Sequence, residues 1–256
     1  MAVPARHLRN LDCQLHSHQT PGNPHAQSRP IRSVRNSHYA VRSRLAASGA
    51  VLAERLGVPE EGFQERRLRL NDEWEVGRIG SYGEMLEAVC RESGHEPPDS
   101  VIADLVRELT TEAAVPFANI DPAIPAMLRA VKAMGLPVGV VSNVENLYLE
   151  GWATCQLAPL MEHVVASFDV GVMKPDPLIY RRGLKPLEVS ADEAVFIGDS
   201  RLGELSGAER VGMTPVWATW FVDKWPPAVR RWPFEPYPRM RTPGELVDWL
   251  RGNPVS

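Results

Sequence analysis

From about residue 40 to residue 118 apolar positions recur every three or four residues. Leu45, Leu52 and Leu56 share one helical face, and Phe63, Leu70 and Trp74 share another. Tyr82, Met85, Leu86 and Val89 follow at the same spacing, then Val101, Leu105 and Leu109. Gly57, the 77–80 stretch and "GHEPPDS" interrupt the pattern. These marks predict a small all-helical unit over 39–118. The texture changes near Asp121. "DPAIPAMLRAVKAMG" reads as a helix with Asp121 as N-cap, Pro122 at the first helical position, a stripe of Ile124, Met127, Leu128 and Val131, and Gly135 at the end. Short continuous apolar runs follow, at 137–141, in "HVVASFDVG", in "EAVFIGDS" and in "TPVWAT", with helical segments between them at 145–157, 177–184 and 202–211. Apolar runs alternating with helices predict an α/β fold, a Rossmann-like parallel sheet covered on both faces, over 119–256.

The first 38 residues fit neither pattern. They hold five Arg, no Lys, four Pro, five of the seven His and a single acid, Asp12. With so little apolar surface to offset chain ordering, this segment is expected to be disordered or to stem from a misassigned start, with no strand contributed to the sheet. At the other end, Trp217, Trp220, Trp225 and Trp232 stand among prolines. They are expected to pack on the core, or to form a patch for a partner such as a second copy in a homodimer. "TPGELVDWL" reads as a final helix with Thr242 as N-cap and Glu245 completing a capping box.

Composition narrows the function little but excludes some classes. The 256 residues are 44% hydrophobic and 23% charged, ordinary for a globular protein, and the net charge is −4. That balance predicts no general attraction to nucleic acid or to an anionic membrane. No run approaches the roughly 20 apolar residues of a membrane span. The three cysteines, Cys13, Cys90 and Cys155, lie far apart, which suits a reducing, cytoplasmic setting and argues against a thiolate zinc site.

Ligands of such a sheet bind beyond the carboxyl ends of its strands, so the polar residues there carry the chemistry. The strand in "LPVGVVSN" ends in Ser142 and Asn143, whose hydroxyl and backbone N–H groups suit a phosphate oxygen or could cap the next helix. In "GVMKPDPLIY", Asp176 is an N-cap with Pro177 behind it, and Lys174 precedes them as a cation able to offset phosphate charge. The strand "AVFIG" runs into Asp199, with Glu204 five residues on across the strand–helix junction. Hard oxygen ligands in that setting suit Mg²⁺, and acids at a helix start also suit its dipole.

Taken together these residues resemble the haloacid dehalogenase superfamily of hydrolases. "VVSN" is similar to the family's second motif, "KPDPLIY" to its third and "IGDSRLGELSGAERVGM" to its fourth, and a helical unit ahead of the sheet resembles its C1-type cap. The Gly-Asp pair of "GDS" looks more like the phosphatase members than the dehalogenases. The resemblance implies a Mg²⁺-dependent phosphatase of a small phosphorylated metabolite. It implies that Ser142 and Asn143 bind phosphate, that Lys174 pairs with phosphate and nucleophile, and that Asp199 and Glu204 hold Mg²⁺, Glu204 standing where the family usually has Asp.

The family's first motif, an apolar strand ending in Asp-x-Asp, should supply the nucleophile and a general acid. Only "HLRNLDCQLHSH" comes near it: Asp12 is followed by Gln14 where the second acid belongs, and Arg9 and Asn10 precede it. The central strand is therefore expected to be missing, the nucleophile unknown, Mg²⁺ binding weak and turnover slight. Three readings stay open: a phosphatase with a misassigned start, a catalytically silent relative that binds a phosphorylated ligand or protein partner, and a protein that keeps the fold alone.

Overall fold

Six parallel strands in the order β3-β2-β1-β4-β5-β6 form the sheet of the computed structural model, which describes residues 8–11, 49–200, 203–221 and 235–253. The strands are β1 (Leu8–Leu11), β2 (Val138–Ser142), β3 (His163–Ala166), β4 (Ala194–Gly198), β5 (Thr214–Ala218) and β6 (Arg239–Met240). Alternate residues of the central strands enter different cores. Val138, Val140, Val195 and Ile197 pack with α5 (Ala123–Ala133) and α10 (Pro243–Gly252). Val141, Ala194 and Phe196 pack with α8 (Pro177–Leu184) and α9 (Glu204–Arg210). That division is the two-residue period of a strand buried on both faces. Each fully covered side chain such as Phe196 or Leu128 contributes about 1.5–3 kcal/mol.

One expectation is overturned. Leu8–Leu11 lies in the middle of the sheet, with Arg9 and Asn10 opposite Val138 and Gly139 of β2, and Leu8 to Leu11 opposite Ala194 to Ile197 of β4. The central strand is present, and it comes from the segment expected to contribute none. The ladder is made by backbone groups, so a stretch containing Arg and Asn closes it as well as an apolar one would. The remaining N-terminal calls, Asp12 included, lie outside the described residues.

Among the described residues four helices lie between β1 and α5, within the crossover to β2: α1 (Gly49–Leu56), α2 (Phe63–Glu75), α3 (Tyr82–Glu92) and α4 (Asp99–Ala118). They share a core of Leu52, Leu56, Phe63, Leu70, Trp74, Tyr82, Met85, Leu86 and Val89, with Leu105 and Leu109 from α4. Among the described residues no helix is long and apolar enough to cross a membrane.

Local signals account for most ends. Ser81 caps α3 through the Glu84 N–H, Asp176 caps α8 through the Leu178 N–H, and Thr242 caps α10 through the Glu245 N–H. Asp121 accepts the Ala123 N–H at 2.9 Å, so α5 starts two residues later than the acid. The run "HVVASFDVG" is strand only to Ala166; Ser167–Val170 is a short helix, α7, closed by Gly171 at φ 82°. Trp217 and Trp220 are buried on the core, while Trp225 and Trp232 lie outside the described residues.

The helical unit is tied to the sheet side of the molecule through side-chain hydrogen bonds, those of Ser167 buried. The Ser167 hydroxyl donates to the Glu75 carbonyl at 2.7 Å and accepts the Val144 N–H at 2.9 Å. The Trp74 indole N–H donates to Asn146 Oδ1 at 3.1 Å, and Asn146 Nδ2 donates to the Gly80 carbonyl at 3.0 Å. Gly77, at φ 69°, passes so close to α7 that a Cβ would stand 2.3 Å from the Phe168 carbonyl oxygen. Ser167→Ala is expected to cost about 1–3 kcal/mol, because two buried backbone groups lose their partner. Urea denaturation reads this against exposed Thr110→Ala, expected within about 0.5 kcal/mol of wild type.

Candidate active site

The turn after β4 gathers most of the candidate residues. Glu204 opens α9, where the helix dipole favours a carboxylate. Its Oε2 accepts the Lys174 ammonium at 2.9 Å, and both side chains are 3% exposed. Its Oε1 accepts the Ser200 N–H at 3.1 Å. Gly198 makes this possible: a Cβ there would stand 2.4 Å from Glu204 Oε1 and 2.8 Å from its Cδ. Asp199, buried, sits between Gly198 and Ser200. Ser200 holds φ 72°, a left-handed conformation that costs a residue with a side chain about 1–2 kcal/mol. Its hydroxyl donates to Glu235 Oε1, from the segment leading into β6.

The lysine is fixed from three sides. Asn143 clasps its backbone, with Oδ1 accepting the Lys174 N–H at 2.7 Å and Nδ2 donating to the Lys174 carbonyl at 3.0 Å. The following Lys174–Pro175 bond is cis. The ammonium stands 5.7 Å from the Phe196 ring centroid. Tyr180 Oη donates to the Glu204 carbonyl at 2.8 Å, holding the start of α9 against α8. Gly207 permits this approach, since a Cβ would meet Tyr180 Oη at 2.5 Å and Pro175 Cβ at 2.8 Å.

Lys174, Asn143, Asp199 and Glu204 are thus brought together, and Ser142 ends β2 one residue before the clasp. Neither Ser142 nor Asn143 caps α6 (Asn146–Ala153), whose N-cap is Glu145 without a side-chain bond. The Asn143 amide is engaged on the Lys174 backbone through both of its polar atoms. Ser200, Tyr180 and Glu235 escaped the sequence reading. "GDS" pointed at Ser200, but nothing near Glu235 links it to a residue 35 positions earlier. Cys90 and Cys155 are buried, and burial pushes both thiols up, which makes them poor nucleophiles.

Mg²⁺ takes few carboxylates and keeps several waters. Among the described residues no group of three or more His, Cys, Asp or Glu is arranged to hold a metal ion. Both Glu204 oxygens accept hydrogen bonds inside the protein, from Lys174 and from the Ser200 N–H. Asp199, a buried carboxylate at a strand end, is of the donor type that a hydrated Mg²⁺ takes.

A family model described as haloacid dehalogenase-like hydrolase matches residues 78–218, more than half of the chain. A glyceraldehyde 3-phosphate phosphatase of Pyrococcus abyssi is 31% identical over 97 residues, 38% of this chain and 41% of that protein. The (S)-2-haloacid dehalogenase H-109 of Pseudomonas putida is 24% identical over 200 residues, 72% of this chain and 81% of that protein. The chain spans about two fifths of the length of the first curated relatives it matches. Among solved structures, a 2-haloacid dehalogenase of Pseudomonas syringae pv. Tomato has a TM-score of 0.60 at 22% identity, covering 98% of this chain and 99% of that one. A HAD hydrolase of Bacillus subtilis bound to magnesium has a TM-score of 0.54 at 15% identity, covering 96% and 99%. At these identities the structural likeness speaks for the fold.

Removing one member of a buried ion pair strands the other, whereas replacing both with apolar groups spares that cost. Glu204→Leu is therefore expected to destabilise by about 3 kcal/mol, and Lys174→Met with Glu204→Leu to recover most of it. A double variant no more stable than the single one in urea would show that the two side chains do not act as a pair.

Proposed function

The chain belongs to the haloacid dehalogenase-like hydrolases, and from that premise we propose that it is a Mg²⁺-assisted phosphatase of a small phosphorylated metabolite. The observation that carries the reading is the buried Lys174–Glu204 pair next to Asp199 at the end of β4, with β1 running between β4 and the strand that ends in Ser142. A cation and a metal-binding acid flanking the central strand suit a phosphoryl group with its spread negative charge. The dehalogenase reading has longer similarity behind it. A departing halide, however, needs an electropositive pocket, and the acid at Asp199 opposes one.

Asp12, next in the chain after Leu11, is the proposed nucleophile. One of its carboxylate oxygens forms a bond to phosphorus while the bond from phosphorus to the leaving oxygen breaks, giving an aspartyl-phosphate that water then hydrolyses. Lys174 offsets charge on the phosphoryl oxygens, and the Ser142 hydroxyl donates to one of them. Asp199 and Asp12 would hold Mg²⁺, which when bound neutralises phosphoryl charge. Asn143, Glu204 and Tyr180 act through Lys174 and α9 as positioning residues. The helical unit 49–118 serves as the cap that excludes water.

Gln14 stands where the family has its general acid, so the leaving oxygen must take its proton from water. Aryl phosphates, which leave without assistance, are then favoured over alkyl phosphates. Expected outcomes are Mg²⁺-dependent turnover of p-nitrophenyl phosphate, slower turnover of alkyl phosphates, loss of activity in Asp12→Asn, and a drop of about 10²-fold or more in Lys174→Met. Turnover unaffected by Asp12→Asn would refute the assignment, and halide release from 2-chloropropionate without phosphate release would favour the dehalogenase. Phosphate binding without turnover would favour a silent relative.

A further inference from the structure

Glu235 lies far from the family's motifs in sequence, yet its carboxylate accepts the hydroxyl hydrogen of Ser200, the residue next to Asp199. The residues that follow it are fixed by contacts of their own. The Trp217 N–H donates to the Pro238 carbonyl and the Thr219 N–H to the Met240 carbonyl, both at 2.8 Å, adding β6 to the sheet. Tyr237 Oη donates to Glu209 Oε2 on α9 at 2.9 Å. The segment 235–240 is therefore docked along β5 and α9, and Glu235 is the member of it that meets the turn after β4.

Ser200 needs such a partner. It is buried, it carries a Cβ, and it sits at φ 72°, where glycine would be unstrained. Its N–H is held by Glu204 at 3.1 Å and its hydroxyl by Glu235. One acid comes from the helix after the turn and the other from the C-terminal segment, so the conformation of the residue following Asp199 is set from both sides.

We propose that Glu235 is a positioning residue of this site: by holding the Ser200 hydroxyl it keeps the 199–200 turn left-handed and so fixes the direction of the Asp199 carboxylate. The C-terminal segment thereby becomes part of the site's support. The catalytic consequence rests on the phosphatase reading; the conformational one does not.

Hydrogen–deuterium exchange of the full chain separates the two. Glu235→Ala and Ser200→Ala should speed exchange over 199–204 by about tenfold while leaving 194–197 at wild-type rates. Glu235→Gln should stay near wild type, because its amide oxygen still accepts the hydroxyl. In a Ser200→Gly background Glu235→Ala should add little, since glycine holds the turn without bracing. Tyr237→Phe, which loosens the same segment away from Ser200, should not reproduce the effect. Unchanged exchange in Glu235→Ala, an even rise across β4 and the turn, or the same change in Tyr237→Phe would each overturn the proposal. With p-nitrophenyl phosphate, Glu235→Ala should lower kcat severalfold at constant KM, and Glu235→Gln should retain most of it. A wild-type chain without turnover would remove the phosphatase reading and leave the exchange result to decide the role of Glu235.

Discussion

Between β2 and β4 each strand edge presents N–H and C=O groups that, at the centre of a sheet covered on both faces, only another backbone can satisfy. β1 supplies that backbone over Leu8–Leu11, in register with Ala194–Ile197 on one side and with Val138 and Gly139 on the other. Each such group left unpaired when buried costs about 1–3 kcal/mol, comparable in sum to the whole stability of a domain. The two helical layers can close over Val140, Val141, Phe196 and Ile197 only once the ladder beneath is complete. The positions of Ser142 and Asp199 follow, at or just beyond the ends of β2 and β4, and Lys174 is held to the same end by Asn143 and Glu204.

The site is assembled by charge and by close approach. A lysine and a glutamate, both nearly inaccessible, hold the loop after α7 to the start of α9. Desolvating two charges is costly, and the arrangement survives because further groups share the load: Ser200 N–H on Glu204, the Asn143 clasp on the Lys174 backbone, and Tyr180 on the first turn of α9. Gly198 and Gly207 matter for the space they leave. The strap that ends in β6 adds Glu235 to the same turn, which extends the site's support to the C-terminal part of the chain.

Much of this was legible in the sequence because the signals were local. Apolar runs bounded by turn residues marked β2, β4 and β5, the caps at Asp176 and Thr242 are one-residue signatures, and three-to-four spacing marked the helical core around Trp74 and Met85. Lys174, Asp199 and Glu204 were legible as a set because the parallel-sheet rule puts strand ends on one side. What escaped depended on long-range pairing. "LRNL" carries two polar residues in four and has no strand pattern; its neighbours in the sheet decide its state. β6 has two residues, too few for any periodicity, and the partnership of Glu235 with Ser200 spans 35 positions, which no local pattern carries.

The account stands on β1 filling the centre of the sheet. Amide hydrogen exchange over residues 8–11 of the full chain tests this directly. It predicts that the amides of Leu8–Leu11 exchange as slowly as those of Val138–Ser142 and Ala194–Gly198, at rates set by opening of the whole sheet. Exchange over 8–11 as fast as in an unfolded chain, with β2 and β4 still protected, would contradict it.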